Sequence, residues 1–156
     1  MIDIKPSYNE IHAACVNTAK QLEIHGHKIN RVVGLVRGGL MPAVIMSHCL
    51  NDIPMTAISY SSKSGNGDNK NHSNVLPEIS ESTILICDDI VDTGLSMKEV
   101  VDHYVALNKV CVTFALYSKT TAVFKPDYVW RVVEPEDTDW IIFPFERDHA
   151  LELGSR

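Results

Sequence analysis

The sequence predicts an α/β domain in which a mostly parallel, twisted sheet is flanked by helices. Apolar segments with strand character alternate with segments of helical periodicity along most of the 156 residues. Two apolar segments run directly into glycine-bearing turns that open helices, R-V-V-G-L-V-R-G-G-L at 31–40 and T-I-L-I-C-D-D-I-V-D-T-G-L-S at 83–96. Because no repeat or linker interrupts the chain, residues 1–150 are expected to form one domain.

The first helix is expected at residues 8–24. Ser7 and Glu10 have the spacing of a capping box, and Gly26 stands where the helical periodicity stops. The apolar positions recur at helical spacing and are therefore assigned to one buried face: Ile11, Cys15, Ala19 and Leu22.

A strand, a glycine turn and a helix follow. Residues 31–36 have the character of a short buried strand, and Pro42 is well placed in the first turn of a helix at 41–51. The apolar side of this helix is expected to carry Val44, Ile45 and Cys49, and the next strand is expected at 55–60.

Residues 61–74 contain no apolar side chain. A segment of Ser, Gly, Asn, Asp, His and Lys of this length cannot pack into a core, so it is expected to be disordered or to act as a lid. Lys63 and Lys70 are candidates for a contact with phosphate.

The stretch at 83–96 organises the rest of the chain. Ile84 to Cys87 form an uninterrupted apolar run, typical of a strand buried on both faces, and Asp88 and Asp89 are expected at its carboxyl end. The D-T-G-L-S that begins at Asp92 offers a glycine able to take positive φ, two hydroxyls and the free amides of a helix start. These features together suit a phosphate monoester.

The last third of the chain continues the alternation. A helix is expected at 96–107, with Val100, Val101, Tyr104 and Leu107 on its apolar face. Strands are expected at 109–117 and 127–133, and a turn at 135–137 precedes the aromatic segment 138–145. Residues 151–156 resemble an expression tail and take no part in the fold prediction.

Composition narrows the class of protein. A formal net charge of −6 argues against non-specific binding to nucleic acid or to an anionic membrane, and no apolar run is long enough to span a membrane. The seven histidines show no metal-binding spacing. Four widely separated cysteines within apolar segments predict reduced core thiols and a cytoplasmic location: Cys15, Cys49, Cys87 and Cys111.

The stretch D-D-I-V-D-T-G-L-S resembles, at every position, the phosphoribosyl-pyrophosphate (PRPP) signature of the type I phosphoribosyltransferases. About fifty residues earlier, V-R-G-G-L at 36–40 resembles the loop that binds pyrophosphate in that family. The resemblance covers nearly the whole chain, from S-Y-N-E-I to F-P-F-E. It implies the type I phosphoribosyltransferase fold with a small C-terminal hood at about 120–146, and a homo-oligomer, since the family is usually dimeric or tetrameric.

The resemblance also implies a Mg²⁺-dependent reaction in which a base displaces pyrophosphate from PRPP. Asp88 and Asp89 would meet the ribose hydroxyls and Mg²⁺, and Asp92 would be the catalytic carboxylate that exchanges a proton with the base. A non-proline cis peptide is implied between Val36 and Arg37. The expected PRPP-binding residues are Arg37, Gly38, Gly39, Asp88, Asp89, Asp92, Thr93, Gly94, Leu95 and Ser96.

Lys119 and the segment D-W-I-I-F-P-F-E at 139–146 resemble the base-binding hood of the xanthine, guanine and hypoxanthine phosphoribosyltransferases. The family's common second tryptophan is replaced by Phe145. Lys119 offers only donors and would therefore recognise the O6 of a 6-oxopurine and reject adenine. Trp140 would stack on the purine, and backbone carbonyls near Trp140 and Ile141 would meet the substituent at C2. Each of these two residues also has an interpretation without a ligand: Lys119 as the solvated end of a strand, and Trp140 as a core aromatic residue.

Two other functions stay open at this point. A non-catalytic PRPP or nucleotide sensor is one, although no helix-turn-helix or basic segment accompanies the domain and both Asp92 and Lys119 match the enzymes. A phosphoribosyltransferase for a pyrimidine is the other, and the pairing of Lys119 with Trp140 disfavours it. A dinucleotide-dependent oxidoreductase is weaker still, because V-G-L-V-R-G-G-L does not complete G-x-G-x-x-G.

Overall fold

The computed structural model describes residues 3–62 and 75–146, without the side chains of 138–140. The predictions for the segment 63–74, including Lys63 and Lys70, and for the tail at 151–156 lie outside these residues. The elements in chain order are α1 (Tyr8–Ile24), β1 (Arg31–Leu35), α2 (Leu40–Cys49), β2 (Met55–Ile58), β3 (Thr83–Val91), α3 (Leu95–Ala106), β4 (Val110–Lys119), β5 (Tyr128–Val133) and a 3₁₀ helix (Pro135–Trp140).

The predicted fold class is confirmed, because the five strands form one sheet in the order β2-β1-β3-β4-β5 and every neighbouring pair is parallel. Both faces of this sheet are covered. Leu85 and Cys87 of β3 belong to the core cluster beneath α1 and α2, whereas Ile84 and Ile86 belong to the cluster beneath α3. The apolar run of β3 is uninterrupted because this central parallel strand is buried on both faces, as expected.

The length of β3 differs from the prediction in a way that matters for the site. Asp88 and Asp89 do not follow the end of the strand but lie within it, since β3 continues to Val91. Pairing with β1 stops at Cys87, beyond which β3 continues beside β4 alone. The acidic pair thus stands on a part of β3 that projects past its neighbour β1, which opens space beside the carboxylates.

The first helix agrees with the sequence in detail. The Ser7 hydroxyl accepts a hydrogen bond from the amide of Glu10, and the Glu10 carboxylate accepts one from the amide of Ser7 at 2.8 Å. All four side chains predicted for its buried face are at most 7% exposed: Ile11, Cys15, Ala19 and Leu22.

The predicted faces of the other two helices are partly wrong. In α2, Val44 is 41% exposed and Cys49 is exposed, so Cys49 is not a core thiol, and the buried residues are Pro42, Ala43 and Met46. The segment is apolar almost all round, and periodicity therefore cannot select one face. In α3, Leu107 is 51% exposed because the helix ends at Ala106, and Met97 is buried instead.

The C-terminal segment returns to the N-terminal residues. Ile4 forms a parallel bridge with Ile141, the amide of Ile142 donates to the carbonyl of Ile4, and the Tyr8 hydroxyl donates to the carbonyl of Pro144. Among the residues described, no helix is long and apolar enough to cross a membrane.

Candidate active site

Three segments meet at the carboxyl edge of the sheet. They are the loop after β1, the turn after β3 and the last residue of β4, Lys119. Because β1, β3 and β4 are parallel and adjacent, the segments that follow them lie side by side. The predicted residues of these three segments therefore converge on one region, although they are up to about eighty positions apart in the chain.

The turn after β3 has the conformation that its glycine permits. Gly94 has φ 82°, and a Cβ atom there would lie 2.3 Å from the carbonyl oxygen of Phe124. The carbonyl of Thr93 accepts hydrogen bonds from the amides of Val123 and Phe124 at 2.9 and 3.3 Å. Val123 and Phe124, at the beginning of the predicted hood, thus hold this turn in place. The sequence did not reveal this contact.

This turn lines an open cavity of about 130 Å³. Among the described residues, no backbone carbonyl accepts a hydrogen bond from the amides of Gly94, Ser96 or Met97, and the first turn of α3 contains no acidic side chain. A helix start with free amides favours an anion, so the cavity suits a phosphate group. Its lining comprises Asp88, Ile90, Val91, Asp92, Thr93, Gly94, Leu95, Ser96 and Met97.

The loop after β1 approaches the acidic pair without an intervening side chain. The peptide between Val36 and Arg37 is cis, which confirms the prediction. A Cβ atom at Gly38 would lie 1.8 Å from a carboxylate oxygen of Asp89, and one at Gly39 would lie 2.5 Å from the carbonyl oxygen of Cys87. Only glycine fits at Gly39, where the neighbouring atoms are backbone, and at Gly38 a side chain would displace the Asp89 carboxylate. Arg37 is exposed, and its guanidinium has no ion-pair partner within the described ranges.

Asp88 and Asp89 place two carboxylates next to each other, each fixed by the amide that follows it in the chain. The amide of Asp89 donates to Oδ1 of Asp88 at 2.9 Å, and the amide of Ile90 donates to Oδ1 of Asp89 at 2.7 Å. Burial, together with the neighbouring Asp89 carboxylate, raises the pKa of Asp88 well above its ordinary value. The described residues contain no cluster of three or more metal-ligating side chains. Two carboxylates fit Mg²⁺, which takes its remaining ligands from water and phosphate.

The structure joins the predicted catalytic residue to the predicted base-binding lysine. Nζ of Lys119 lies 2.8 Å from Oδ1 of Asp92, and the side chains are 16% and 69% exposed, respectively. The register of the sheet explains this contact, because Val91, the last residue of β3, pairs with Ser118, and the residues that follow these two in the chain are Asp92 and Lys119. The spacing along the sequence gave no sign of it, because the order of the strands was unknown.

The rest of the predicted base site is less fully described. Ile141 is 7% exposed and packs into the core beneath α1 and α2, so its side chain does not face a ligand. Its predicted contribution was a backbone carbonyl, and that stays a prediction. The side chain of Trp140 lies outside the described part of the structure.

Three residues beside the phosphate-suited turn were missed by the sequence analysis. The Tyr60 hydroxyl donates to Oε2 of Glu99 at 2.7 Å, and the Ser62 hydroxyl donates to Oε1 of Glu99 at 3.0 Å. The amide of Ser62 donates to the Ser96 hydroxyl at 3.0 Å. The three-residue spacing of Ser96 and Glu99 places both on one side of α3, but only the fold brings Tyr60 and Ser62 to them.

Comparison with known proteins agrees with this geometry. The model of the phosphoribosyl transferase domain family matches residues 7–150. The chain is 27% identical to a xanthine-guanine phosphoribosyltransferase from Idiomarina loihiensis, with 94% of this chain and 89% of that protein covered. Among solved structures, a purine phosphoribosyltransferase from Pyrococcus horikoshii gives a TM-score of 0.77 at 26% identity, covering 95% of this chain and 97% of that one. A Helicobacter pylori xanthine-guanine-hypoxanthine phosphoribosyltransferase gives 0.78 at 25% identity, covering 98% and 99%.

Proposed function

Because the chain belongs to the phosphoribosyl transferase domain family, we propose that it transfers the 5-phosphoribosyl group of PRPP to a 6-oxopurine and releases pyrophosphate. The candidate bases are guanine, xanthine and hypoxanthine. The observation that carries this proposal is the contact between Lys119 and Asp92 beside the cavity at the start of α3, whose free amides suit a phosphate. The predicted type I phosphoribosyltransferase fold is confirmed by the solved relatives.

The proposed binding mode follows the three segments of the site. The 5′-phosphate would occupy the cavity at 92–97, and the pyrophosphate would meet the amides and the guanidinium of the loop that begins at Arg37. Asp88 and Asp89 would hold the ribose hydroxyls and Mg²⁺. When bound, Mg²⁺ would neutralise charge on the pyrophosphate oxygens.

The reaction breaks the bond between C1 of the ribose and the pyrophosphate oxygen, which keeps the electron pair. A nitrogen of the base supplies its lone pair to C1, and the base then loses a proton. Asp92, 69% exposed at the edge of the cavity, is accessible to accept that proton. Arg37 would stabilise the negative charge that develops on the leaving group, because fixed charges at a reacting centre favour the transition state.

The ion pair between Lys119 and Asp92 is complementary to one edge of a 6-oxopurine. A purine carries N7 and the group at C6 side by side on one edge, and in a 6-oxopurine the latter is a carbonyl acceptor. Lys119 presents only donors and Asp92 only acceptors, with 2.8 Å between the facing atoms. Lys119 would therefore meet O6 while Asp92 meets the proton on the ring nitrogen. Adenine would place an amino donor against the lysine and leave both groups unsatisfied.

The remaining parts of the proposal come from the resemblance of residues 139–146 to the base-binding hood of the purine phosphoribosyltransferases. Trp140 would stack on the purine plane, and backbone carbonyls near Trp140 and Ile141 would read the substituent at C2. The relatives named above include enzymes for xanthine, guanine and hypoxanthine, which supports this class of base. We propose in addition that the protein is cytoplasmic and forms a homo-oligomer.

The proposed function is tested by release of pyrophosphate from PRPP with Mg²⁺ and each base of a panel. We expect release with at least one of guanine, xanthine and hypoxanthine, and loss of release when Mg²⁺ is chelated. Asp92→Asn should lower kcat by about 100-fold, the scale of a lost acid or base, while the KM for PRPP stays near the wild-type value.

Two results would contradict the proposal in different ways. Saturable PRPP binding without pyrophosphate release for any base would favour the nucleotide sensor. Release supported best by orotate would favour a pyrimidine enzyme and remove the role given to Lys119.

A further inference from the structure

The Ser96 hydroxyl on the phosphate-suited turn is already oriented by another part of the chain. Its oxygen accepts a hydrogen bond from the amide of Ser62 at 3.0 Å. A hydroxyl has one hydrogen and two lone pairs, and an incoming donor occupies one of the lone pairs. The hydrogen of Ser96 is therefore directed away from Ser62. Since Ser96 lines the cavity, an acceptor bound there can receive that hydrogen.

Ser62 in turn is held by Glu99, one turn further along α3. Oε1 of Glu99 accepts from the Ser62 hydroxyl at 3.0 Å, while Oε2 accepts from the Tyr60 hydroxyl at 2.7 Å. One carboxylate thus binds two side chains that follow β2 and fixes them against the start of α3. Burial and the bond to Glu99 raise the pKa of Tyr60 to about 12, so this tyrosine stays a donor at neutral pH.

We infer that Glu99 is a positioning residue for phosphate binding: through Ser62, it keeps the Ser96 hydroxyl aimed at the phosphate monoester of the substrate. The inference rests on the function proposed above. Glu99 does not line the cavity and is not assigned a contact with the substrate. Its contribution is to reduce the number of orientations that Ser96 samples before the phosphate arrives.

The sign of the effect separates this role from simple electrostatics. A carboxylate near a phosphate repels it, so removal of Glu99 would strengthen anion binding if charge were the only effect. Removal of a positioning residue weakens binding instead. Asp102, which lies one turn further along α3 and pairs with Lys98, gives a matched control, because Asp102→Asn removes the same charge without touching Ser62.

The experiment is a double-mutant cycle on the full chain with ribose 5-phosphate, a phosphate monoester whose binding needs no turnover. Calorimetry gives the Kd for the wild type, Glu99→Ala, Ser96→Ala, the double variant and Asp102→Asn. We expect each single alanine variant to weaken binding about ten-fold, the scale of a hydrogen bond to a charged group. The double variant should lose no more than Ser96→Ala alone, since Glu99 acts through Ser96. Asp102→Asn should bind slightly more tightly or without change.

Steady-state kinetics gives a second readout. Glu99→Ala should raise the KM for PRPP by about the same ten-fold and leave kcat within about three-fold, as expected for lost ground-state and transition-state binding alike. If Glu99→Ala does not fold, as judged by circular dichroism, Tyr60→Phe and Ser62→Ala take its place. Each is expected to raise the Kd in the wild-type background and to have no effect in the Ser96→Ala background.

The outcomes distinguish this inference from the proposed function. Additive losses in the double variant, or an unchanged Kd in Glu99→Ala, would overturn the positioning role even if the enzyme turns over normally. If the double variant binds ribose 5-phosphate no more weakly than Ser96→Ala, but PRPP is not turned over, the positioning role is supported and the proposed enzyme is contradicted. Absence of saturable ribose 5-phosphate binding in the wild type would overturn the positioning role, and pyrophosphate release from PRPP would then decide the proposed function separately.

Discussion

At the scale of single residues, the site depends on positions where a side chain is absent. Gly38 and Gly39 allow the loop after β1 to touch Asp89 and the backbone of β3, and Gly94 allows the turn after β3 to reach the carbonyl of Phe124. The sequence indicated a tight turn at each of these glycines. It could not show which atoms approach them, because those atoms belong to distant parts of the chain.

Gly38→Ala tests whether this close approach serves the site. The new Cβ atom would lie 1.8 Å from Oδ2 of Asp89, so the carboxylate or the loop must shift. Because a displaced catalytic or binding group costs a large part of the rate, we expect kcat/KM for PRPP to fall at least about ten-fold.

Gly26→Ala is the matched control for that substitution. Gly26 has φ 77° but no neighbouring heavy atom within 4 Å of a new Cβ. It should therefore lower the thermal unfolding midpoint through backbone strain while leaving kcat/KM unchanged. Equal kcat/KM for Gly38→Ala and the wild type would show that the contact with Asp89 is incidental.

At the scale of elements, the sequence predicted which segments form helices and strands better than which faces they bury. The capping box and the four apolar positions of α1 were confirmed, since their spacing is unambiguous. In α2 apolar residues occur on every side of the helix, so the sequence could not predict which side is buried. The structure buries the side that carries Ala43 and Met46. The extension of β3 through Asp88 and Asp89 was missed because it depends on pairing with β4, which includes Asp88, Ile90 and Val91.

The ion pair between Arg31 of β1 and Glu81, which precedes β3, leads to a prediction about stability. The Arg31 guanidinium donates two hydrogen bonds to the Glu81 carboxylate at 2.7 and 2.6 Å, and this lowers the pKa of Glu81 from 4.5 to about 2. A carboxylate whose pKa is lower in the folded state stabilises the fold above its unfolded pKa. That stability is lost as the pH falls from about 4.5 towards 2.

Urea unfolding of Glu81→Gln checks this directly. The variant should have a lower unfolding midpoint than the wild type at pH 7, and the difference should shrink as the pH is lowered below about 4.5. Asp102→Asn, which breaks an exposed ion pair with Lys98, should change the midpoint little at either pH. A difference for Glu81→Gln that stays constant with pH would show that the ion pair does not titrate with folding.

At the scale of the whole molecule, the site exists only because the sheet order brings separate segments together. The turn proposed to bind phosphate, the loop proposed to bind pyrophosphate and the acidic pair were all recognisable from local sequence, since each depends on neighbouring residues. The contact between Asp92 and Lys119 and the bonds around Glu99 were not, because they depend on strand order and on how β2 continues towards α3.

The central claim is that Lys119, held beside Asp92, selects a base with a carbonyl at C6. The most direct measurement is a competition between hypoxanthine and adenine at equal concentrations with PRPP and Mg²⁺, read as the ratio of the two nucleotide products. These bases differ in the group at C6 and in the proton on the adjacent N1. Only the group at C6 lies beside N7 on the edge that Lys119 and Asp92 would meet, so the ratio reports recognition of that group by this pair. We expect hypoxanthine to be favoured by about 100-fold or more, as for a site whose donors would be left unpaired by the wrong base. Comparable products from both bases, or a preference for adenine, would contradict the claim.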